Sequence, residues 1–391
     1  MEPRPKPARS DDALPYDREL IRSGGVTSGR QRDAAMRSPA AERPRSRPRP
    51  AARPRRSGGL ARALLLLLVA AVAIVVVLVG IRAAAFHASV SSAPFVSSAL
   101  FGPLNGDERV NVLLVGYGGA GHDGAYLADS IQILSIDAET DTTTTIPIPR
   151  DLWLEGVESF ARSGKVNEVF AAGYIEGELD GAGALLSRAL SEVTGLDIQH
   201  WMSIDFAGFR AMVDAVGGVT VENPTAFCWT TGEDRHRAGQ WDSGCFDSGL
   251  LTLDGEAALM YSRARYTSVA SESTDFARSA RQSRVIGALR SELGDGGIGA
   301  IGPGLSLMDA MEGNVHTDLS AIDLFLLSSH FSSDRRVELT EGPVLTATTN
   351  TVGQYILIPT GWTGPGDYDG VRAYLDRELA TSVGTAGPDA P

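Results

Sequence analysis

Three patterns of hydrophobic and polar residues succeed one another along the chain. Residues 1–62 show no apolar periodicity. They are rich in Arg, Pro, Ser and Ala, as in RPRSRPRPAARPRR, and so poor in apolar side chains that burial cannot offset chain entropy, so the segment is expected to be disordered. Residues 63–81, ALLLLLVAAVAIVVVLVGI, then run for 19 positions without a charge or a proline, about the length that crosses a hydrocarbon core. A transmembrane helix is expected there, followed by a linker of small residues over 82–105. From residue 106 to about 380 the pattern alternates between periods of two and of 3.6.

In that third region, strands are predicted at Val110–Gly116, Ser130–Asp137, Thr143–Pro147, His200–Ile204, Val219–Glu222, Arg336–Leu339 and Gln354–Ile358. Helices are predicted over Gly181–Thr194 with Asp180 as cap, Phe206–Val216 before Gly217-Gly218, near Ser320–His330 and over Gly370–Leu379. TLDGEAALMYSRARY reads as a short helix running into a strand, and STDFARSARQSRVIGALRSELG as a long helix capped by Ser273 or Thr274. No repeat and no second linker interrupt the series. The fold class expected is α/β, a single extracellular αβα domain with a mixed central sheet, with a disordered tail over 381–391.

Gly116, Gly118 and Gly121 form a literal G-x-G-x-x-G after the first strand. A dinucleotide site requires a helix to start at those glycines. Here a loop and a second strand follow instead, so the loop is not read as a nucleotide cradle.

Charge changes the picture of the amino-terminal part. Residues 1–62 hold 16 Lys+Arg against 7 Asp+Glu, a net of +9, leaving −22 for the remainder of a chain whose total is −13. Basic residues crowd the amino-terminal side of the apolar span, whereas Arg82 is the only Lys or Arg between Ile81 and Arg109. The positive-inside rule then puts the amino terminus in the cytoplasm and the domain outside a cell membrane. The arginine run reads as a topology and anionic-lipid signal rather than a nucleic-acid site. Both cysteines, Cys228 and Cys245, lie in the exported part, as a disulfide suited to an oxidising compartment or as two buried thiols.

No H-E-x-x-H, G-x-S-x-G or P-loop lysine occurs, which leaves nucleophilic covalent catalysis without a motif. The informative residues are basic. Arg263 and Arg265 stand two apart on an expected strand and so share a face, while Arg278, Arg281 and Gln282 share one side of the next helix. Arg150 ends TTTTIPIPRD and Lys165 opens GKVNEVF. Guanidinium forks match phosphate oxygens, so the set suggests a polyanionic substrate; pairing with local carboxylates, Asp151, Glu256, Glu272 and Asp275 among them, is the alternative. Asp123 and Asp129, in the loop between the first two strands, are candidate ligands for a magnesium ion completed by phosphate and water.

Taken in order, NVLLVG, ADSIQILSID, IPIPRDLWLE, KVNEVFAAG, IDFAGFRAMVDAVGGVTVENP, LDGEAALMYSRAR and DFARSARQ resemble the LytR-CpsA-Psr family of cell-envelope proteins, and the Arg/Ala-rich composition is similar to that of actinobacterial members. The resemblance implies a phosphotransferase that moves a glycopolymer from a polyprenyl-pyrophosphate carrier to a peptidoglycan acceptor through a phosphodiester, with magnesium as cofactor and the lipid tail in an apolar tunnel. It implies that Asp129 is a metal ligand. Arg150, Arg263 and Arg265 are implied at the reaction centre, and Lys165, Asn167, Arg278, Arg281 and Gln282 are assigned to pyrophosphate binding. Asp151 or Asp129 is the candidate general base. Many relatives carry an Asp where this chain has Gly118, and Asp123 is the candidate replacement. A lipid-pyrophosphate hydrolase and a non-catalytic lipid or glycan sensor are the competing functions.

Overall fold

The computed structural model describes residues 58–94, 99–100, 109–140, 142–175, 178–292, 301–329 and 335–380. The basic segment before residue 58, most of the expected linker beyond residue 94 and the tail after residue 380 lie outside the described residues.

The helix Gly58–Val90 continues nine residues past the expected end at Ile81. Nothing after Ile81 breaks it: RAAAFHASV is rich in helix-forming Ala and lacks Gly and Pro. Its stretch Leu68–Val90 is long and apolar enough to cross a membrane. The last two turns belong to the domain, since Phe86 and Val90 pack on Val315 together with Met202, Ile204, Met308 and Met311.

The central sheet has six strands in the order Val315–Thr317, His200–Asp205, Arg109–Tyr117, Ala128–Asp137, Thr142–Pro147 and Arg335–Arg336. It is mixed. Arg109–Tyr117 runs antiparallel to Ala128–Asp137 and parallel to His200–Asp205, and Arg335–Arg336 adds in parallel beside Thr142–Pro147. Strict alternation explains why both faces are covered. Leu113, Val115, Ile131 and Ile133 face the helices Val166–Gly173, Asp180–Thr194 and Asp369–Ala380. Val112, Ile136 and Leu134 face Leu319 and Leu327 on the other side.

A second core is built by residues 213–289 around Tyr261, Phe227 and Trp229. It carries a three-stranded sheet in which Phe227–Thr230 lies between Tyr266–Thr267 and Gly244–Phe246. Cys228 and Cys245 are directly opposite each other in that sheet and are joined by a disulfide.

Several expected elements differ. Arg263 ends the helix Gly255–Arg263, so it does not share a strand with Arg265. Asp180 is the first helical residue rather than the cap. Only Arg335–Arg336 of the strand expected near Arg336–Leu339 forms. The helix Ile301–Met311 was not expected.

Candidate active site

The cleft lies where the strand Ala128–Asp137 begins and the strand Thr142–Pro147 ends, beside the helix Asp275–Glu292, and Asp129, Arg150, Asp275, Arg278, Gln282 and Arg336 line it. Arg150 leaves the strand Thr142–Pro147 through Pro149 and donates from Nη1 to Asp129 Oδ1 at 3.2 Å. Its Nε stands 3.6 Å from Asp151 Oδ2. Asp151 is buried and is held from behind by Lys165, whose Nζ donates to Oδ1 at 2.5 Å. Asn167 completes the turn by donating its backbone N–H to the Arg150 carbonyl at 3.3 Å. Asp151 and Lys165 therefore support Arg150 from beneath the cleft rather than lining it.

From the opposite wall, Thr274 caps the helix by accepting from the Ala277 N–H at 3.1 Å. Asp275 and Arg278 then fall on one side of its first turn, with Arg278 Nη1 2.8 Å from Asp275 Oδ1. Gln282 follows one turn later on the same wall. The third contribution comes from the sheet edge. Arg336 donates from Nη2 to Ser279 Oγ at 3.0 Å and from Nε to Glu338 Oε1 at 2.5 Å. From sequence, Asp275 was named only among the carboxylates an arginine could pair with, as it does with Arg278, and Arg336 was given no role. The only signal for Asp275 was its place at i−3 to Arg278; Arg336 reaches the cleft through a parallel pairing across more than 180 residues.

Electrostatics separate the two buried carboxyls. Burial pushes Asp151 up, but hydrogen bonds with Asp275 and Lys165 and the charges of Arg150 and Lys165 outweigh it and hold the group down to about 2. Asp275 moves the other way. Burial raises it, Arg278 opposes, and the carboxylate of Asp151 adds to the rise. Of the two, Asp151 is the one held as the anion, while Asp275 binds a proton more tightly than an ordinary aspartate. Arg278, nearly fully buried beside Arg150, is lowered to about 10, chiefly by burial.

Lys165 and Asn167, assigned to pyrophosphate binding, lie behind Arg150 and do not line the cleft, and four further assignments need correction. Arg281 is not at the cleft: its side chain is 0% exposed, pairs with Glu272 at 2.7 Å, and donates to the carbonyls of Tyr261, Glu272 and Ala264. Three carbonyls and a carboxylate around one guanidinium make it a structural strut of the second core. Asp123 is exposed in the glycine loop, and no contact brings its carboxylate to Asp129. Arg265 is exposed beyond the helix end, near the Tyr266 ring and off the strand face it was expected to share with Arg263, although its charge acts on Arg278 and so reaches the cleft. Asp151 does not face the cleft as a base must. Among the described residues no group of three or more His, Cys, Asp or Glu is arranged to hold a metal alone.

Arg263 has a different setting. Its Nη2 is 3.0 Å from His122 Nε2 and its Cζ is 4.3 Å over the Phe206 ring. Burial lowers its pKa, while Asp129 pulls the other way as the largest neighbouring charge. That coupling puts it within electrostatic reach of the cleft.

Known proteins resemble this chain in sequence and in fold. The family model described as LytR_cpsA_psr family matches residues 79–360. A protein of Oceanobacillus iheyensis named polyisoprenyl-teichoic acid--peptidoglycan teichoic acid transferase TagU is 29% identical over 284 residues, which is 71% of this chain and 81% of that protein. Among solved structures, a transcriptional regulator from Enterococcus faecalis superposes with a TM-score of 0.53 at 21% identity, over 72% of this chain and 90% of that one. TagT bound to LIIa-WTA gives 0.51 at 19% identity, over 72% and 93%. The structural likenesses speak to the fold.

Proposed function

The chain belongs to the LytR_cpsA_psr family, and from that premise we propose that it is a membrane-anchored phosphotransferase that moves a glycopolymer from a polyprenyl-pyrophosphate carrier to peptidoglycan. One observation carries the reading. Guanidinium groups from three segments distant in sequence, Arg150, Arg278 and Arg336, converge with Gln282 on a single cleft. Such a set suits an oxygen-rich dianion, and the names of relatives supply the substrate class.

The reaction follows from the cleft. A hydroxyl oxygen of the acceptor glycan attacks the phosphorus that carries the donor glycan. A new P–O bond forms, the pyrophosphate bridge breaks, and polyprenyl phosphate leaves with the bridging electron pair. Arg150 and Arg278, with Arg263 beside them, stabilise charge on the transferring and leaving oxygens. The hydroxyl proton passes to Asp275, whose raised basicity and place in the cleft suit it where Asp151, held low and facing Lys165, does not. Asp129 lines the cleft and is 29% exposed, so it fits a magnesium ion whose remaining ligands are phosphate oxygens and water. Bound there, magnesium supplies neutralisation of phosphate charge.

The helix Gly58–Val90 supports membrane attachment, and its basic amino-terminal flank supports a cytoplasmic amino terminus with the cleft outside. The full chain in detergent, given a synthetic lipid-pyrophosphate glycan, peptidoglycan fragments and magnesium, is expected to yield a glycan–phosphate–peptidoglycan product by mass. Free phosphorylated glycan would make the protein a hydrolase, and unchanged donor would make it a sensor.

A further inference from the structure

The cleft cations are held in two ways. Arg150, Arg278 and Arg336 each lie against a carboxylate: Asp129, Asp275 and Glu338. Arg263 does not. Among the described residues it makes no ion pair; its polar neighbour is His122 Nε2 at 3.0 Å, and the Phe206 ring lies beneath it at 4.3 Å.

The state of that imidazole follows from its other nitrogen. His122 Nδ1 is 2.7 Å from the Asp123 carbonyl oxygen, which can only accept, so Nδ1 carries the hydrogen. A guanidinium can only donate. Nε2 is then the bare acceptor, and the ring is neutral in this arrangement. Phe206 packs on both partners, since its ring meets the imidazole edge-on at 5.2 Å.

The glycine loop makes the space. A Cβ built on Gly118 would lie 2.9 Å from His122 Nδ1, closer than real Cβ contacts come, and 3.0 and 3.1 Å from its Cγ and Cβ, so the ring would have to move. The imidazole can stand where it does only because residue 118 has no side chain.

We propose that His122 is a positioning residue: through a neutral acceptor it fixes the Arg263 guanidinium for the phosphate without tying it to a carboxylate, with Gly118 as the gap that admits the ring. This rests on the phosphotransferase reading of the cleft. A carboxylate in the same place would orient Arg263 equally well but would compete with the incoming phosphate. An alanine would do neither. The arrangement also accounts for Gly118, the second of the three loop glycines that a nucleotide reading would have claimed.

The test uses the full chain in detergent, with farnesyl pyrophosphate as the binding probe and a synthetic lipid-pyrophosphate glycan for turnover. H122A is expected to lower kcat roughly tenfold to a hundredfold, the size of effect that misplacing one catalytic group produces, with the melting temperature unmoved. G118A should reproduce it although His122 is intact, and the H122A/G118A pair should be no worse than either alone. H122Q, whose amide oxygen can accept from Arg263, should recover most of the loss. H122D should keep the hydrogen bond yet weaken farnesyl pyrophosphate binding relative to H122Q, a split that a purely structural role would not give. Wild-type kcat in H122A, or equal probe affinity in H122D and H122Q, overturns the proposal. Failure of the wild-type chain to bind the probe, or an R263A variant with undiminished turnover, overturns the cleft reading itself and this inference with it.

Discussion

Replacing Arg281 by methionine should unfold rather than inactivate. The guanidinium is 0% exposed and meets Glu272 Oε2 at 2.7 Å, the Glu272 carbonyl at 3.0 Å and the Tyr261 carbonyl at 3.0 Å, with Ala264 as a fourth acceptor. Its Cζ also lies 4.9 Å over the Phe227 ring. Methionine restores much of the volume, so the loss is polar. It strands a carboxylate that is only 11% exposed, and breaking a buried pair from one side costs roughly 3–5 kcal/mol. The orphaned carbonyls add about 1 kcal/mol each where water cannot reach them. At about 2–4 °C per kcal/mol for a domain of this size, the melting temperature should fall by at least roughly 10 °C. Tryptophan fluorescence on the full chain in detergent reads this directly, because Trp229 sits in the same core. The E272Q/R281M double variant should regain part of the loss, since it removes the stranded charge. An R281M chain that melts like the wild type but no longer binds farnesyl pyrophosphate would refute the reasoning and return Arg281 to the substrate site.

Arg278→Ala is the counterpart at the cleft, expected to reduce transfer by two orders of magnitude or more, as for loss of a charged transition-state donor, in the product assay by mass. Asp275→Asn should lower kcat by roughly 10²–10⁴ and remove the acid limb of the pH–rate profile. That limb should lie above the ordinary Asp value of 3.8, because the Asp275 pKa is raised and the base must be ionised. Stability has the opposite sign: the native state holds this proton more tightly than the unfolded chain, so the contribution is full below 3.8 and is lost as pH rises through the raised value. Thermal melts of wild type against D275N across that window check it. Reducing Cys228–Cys245, which spans 17 positions, should cost about 3 kcal/mol at most and open residues 231–243 to protease while transfer persists.

The sheet was legible because its strands alternate cleanly; SIQILSI buries Ile131 and Ile133 on one face and Leu134 and Ile136 on the other. The helix Ile301–Met311 was not, because Pro303 and Gly304 read as breakers, although a proline in the first turn forfeits no helical hydrogen bond. The cations show the limit of spacing. Arg278 and Arg281 are equally placed on one helix, yet one reaches the cleft and the other a nest of carbonyls from Tyr261, Ala264 and Glu272, a distinction set by packing across segments. The strand face that Arg263 and Arg265 were expected to share failed for a local reason: the helix persists through Arg263 and Ala264 then turns the chain. His122 carried no motif at all, and its meaning depends on the absence of a side chain at Gly118.

Self-compensation explains how so many cations coexist in a cleft of about 30 Å³. Buried charges without partners would cost several kcal/mol each, and each arginine that lines the cleft, Arg150, Arg278 and Arg336, has a carboxylate. On the proposed reading, binding a pyrophosphate is therefore an exchange, and exposure decides which acids can take part. Asp129 at 29% and Glu338 at 36% can release their arginines to solvent or, for Asp129, to a divalent ion. Asp275 can release Arg278 by taking up the proton of the acceptor hydroxyl, which its raised pKa favours. Asp151, at 4% and tied to Lys165, can do none of these. It stays in place as the fixed anion that keeps Arg150 pointed at the cleft, whichever partner the other end of that guanidinium holds.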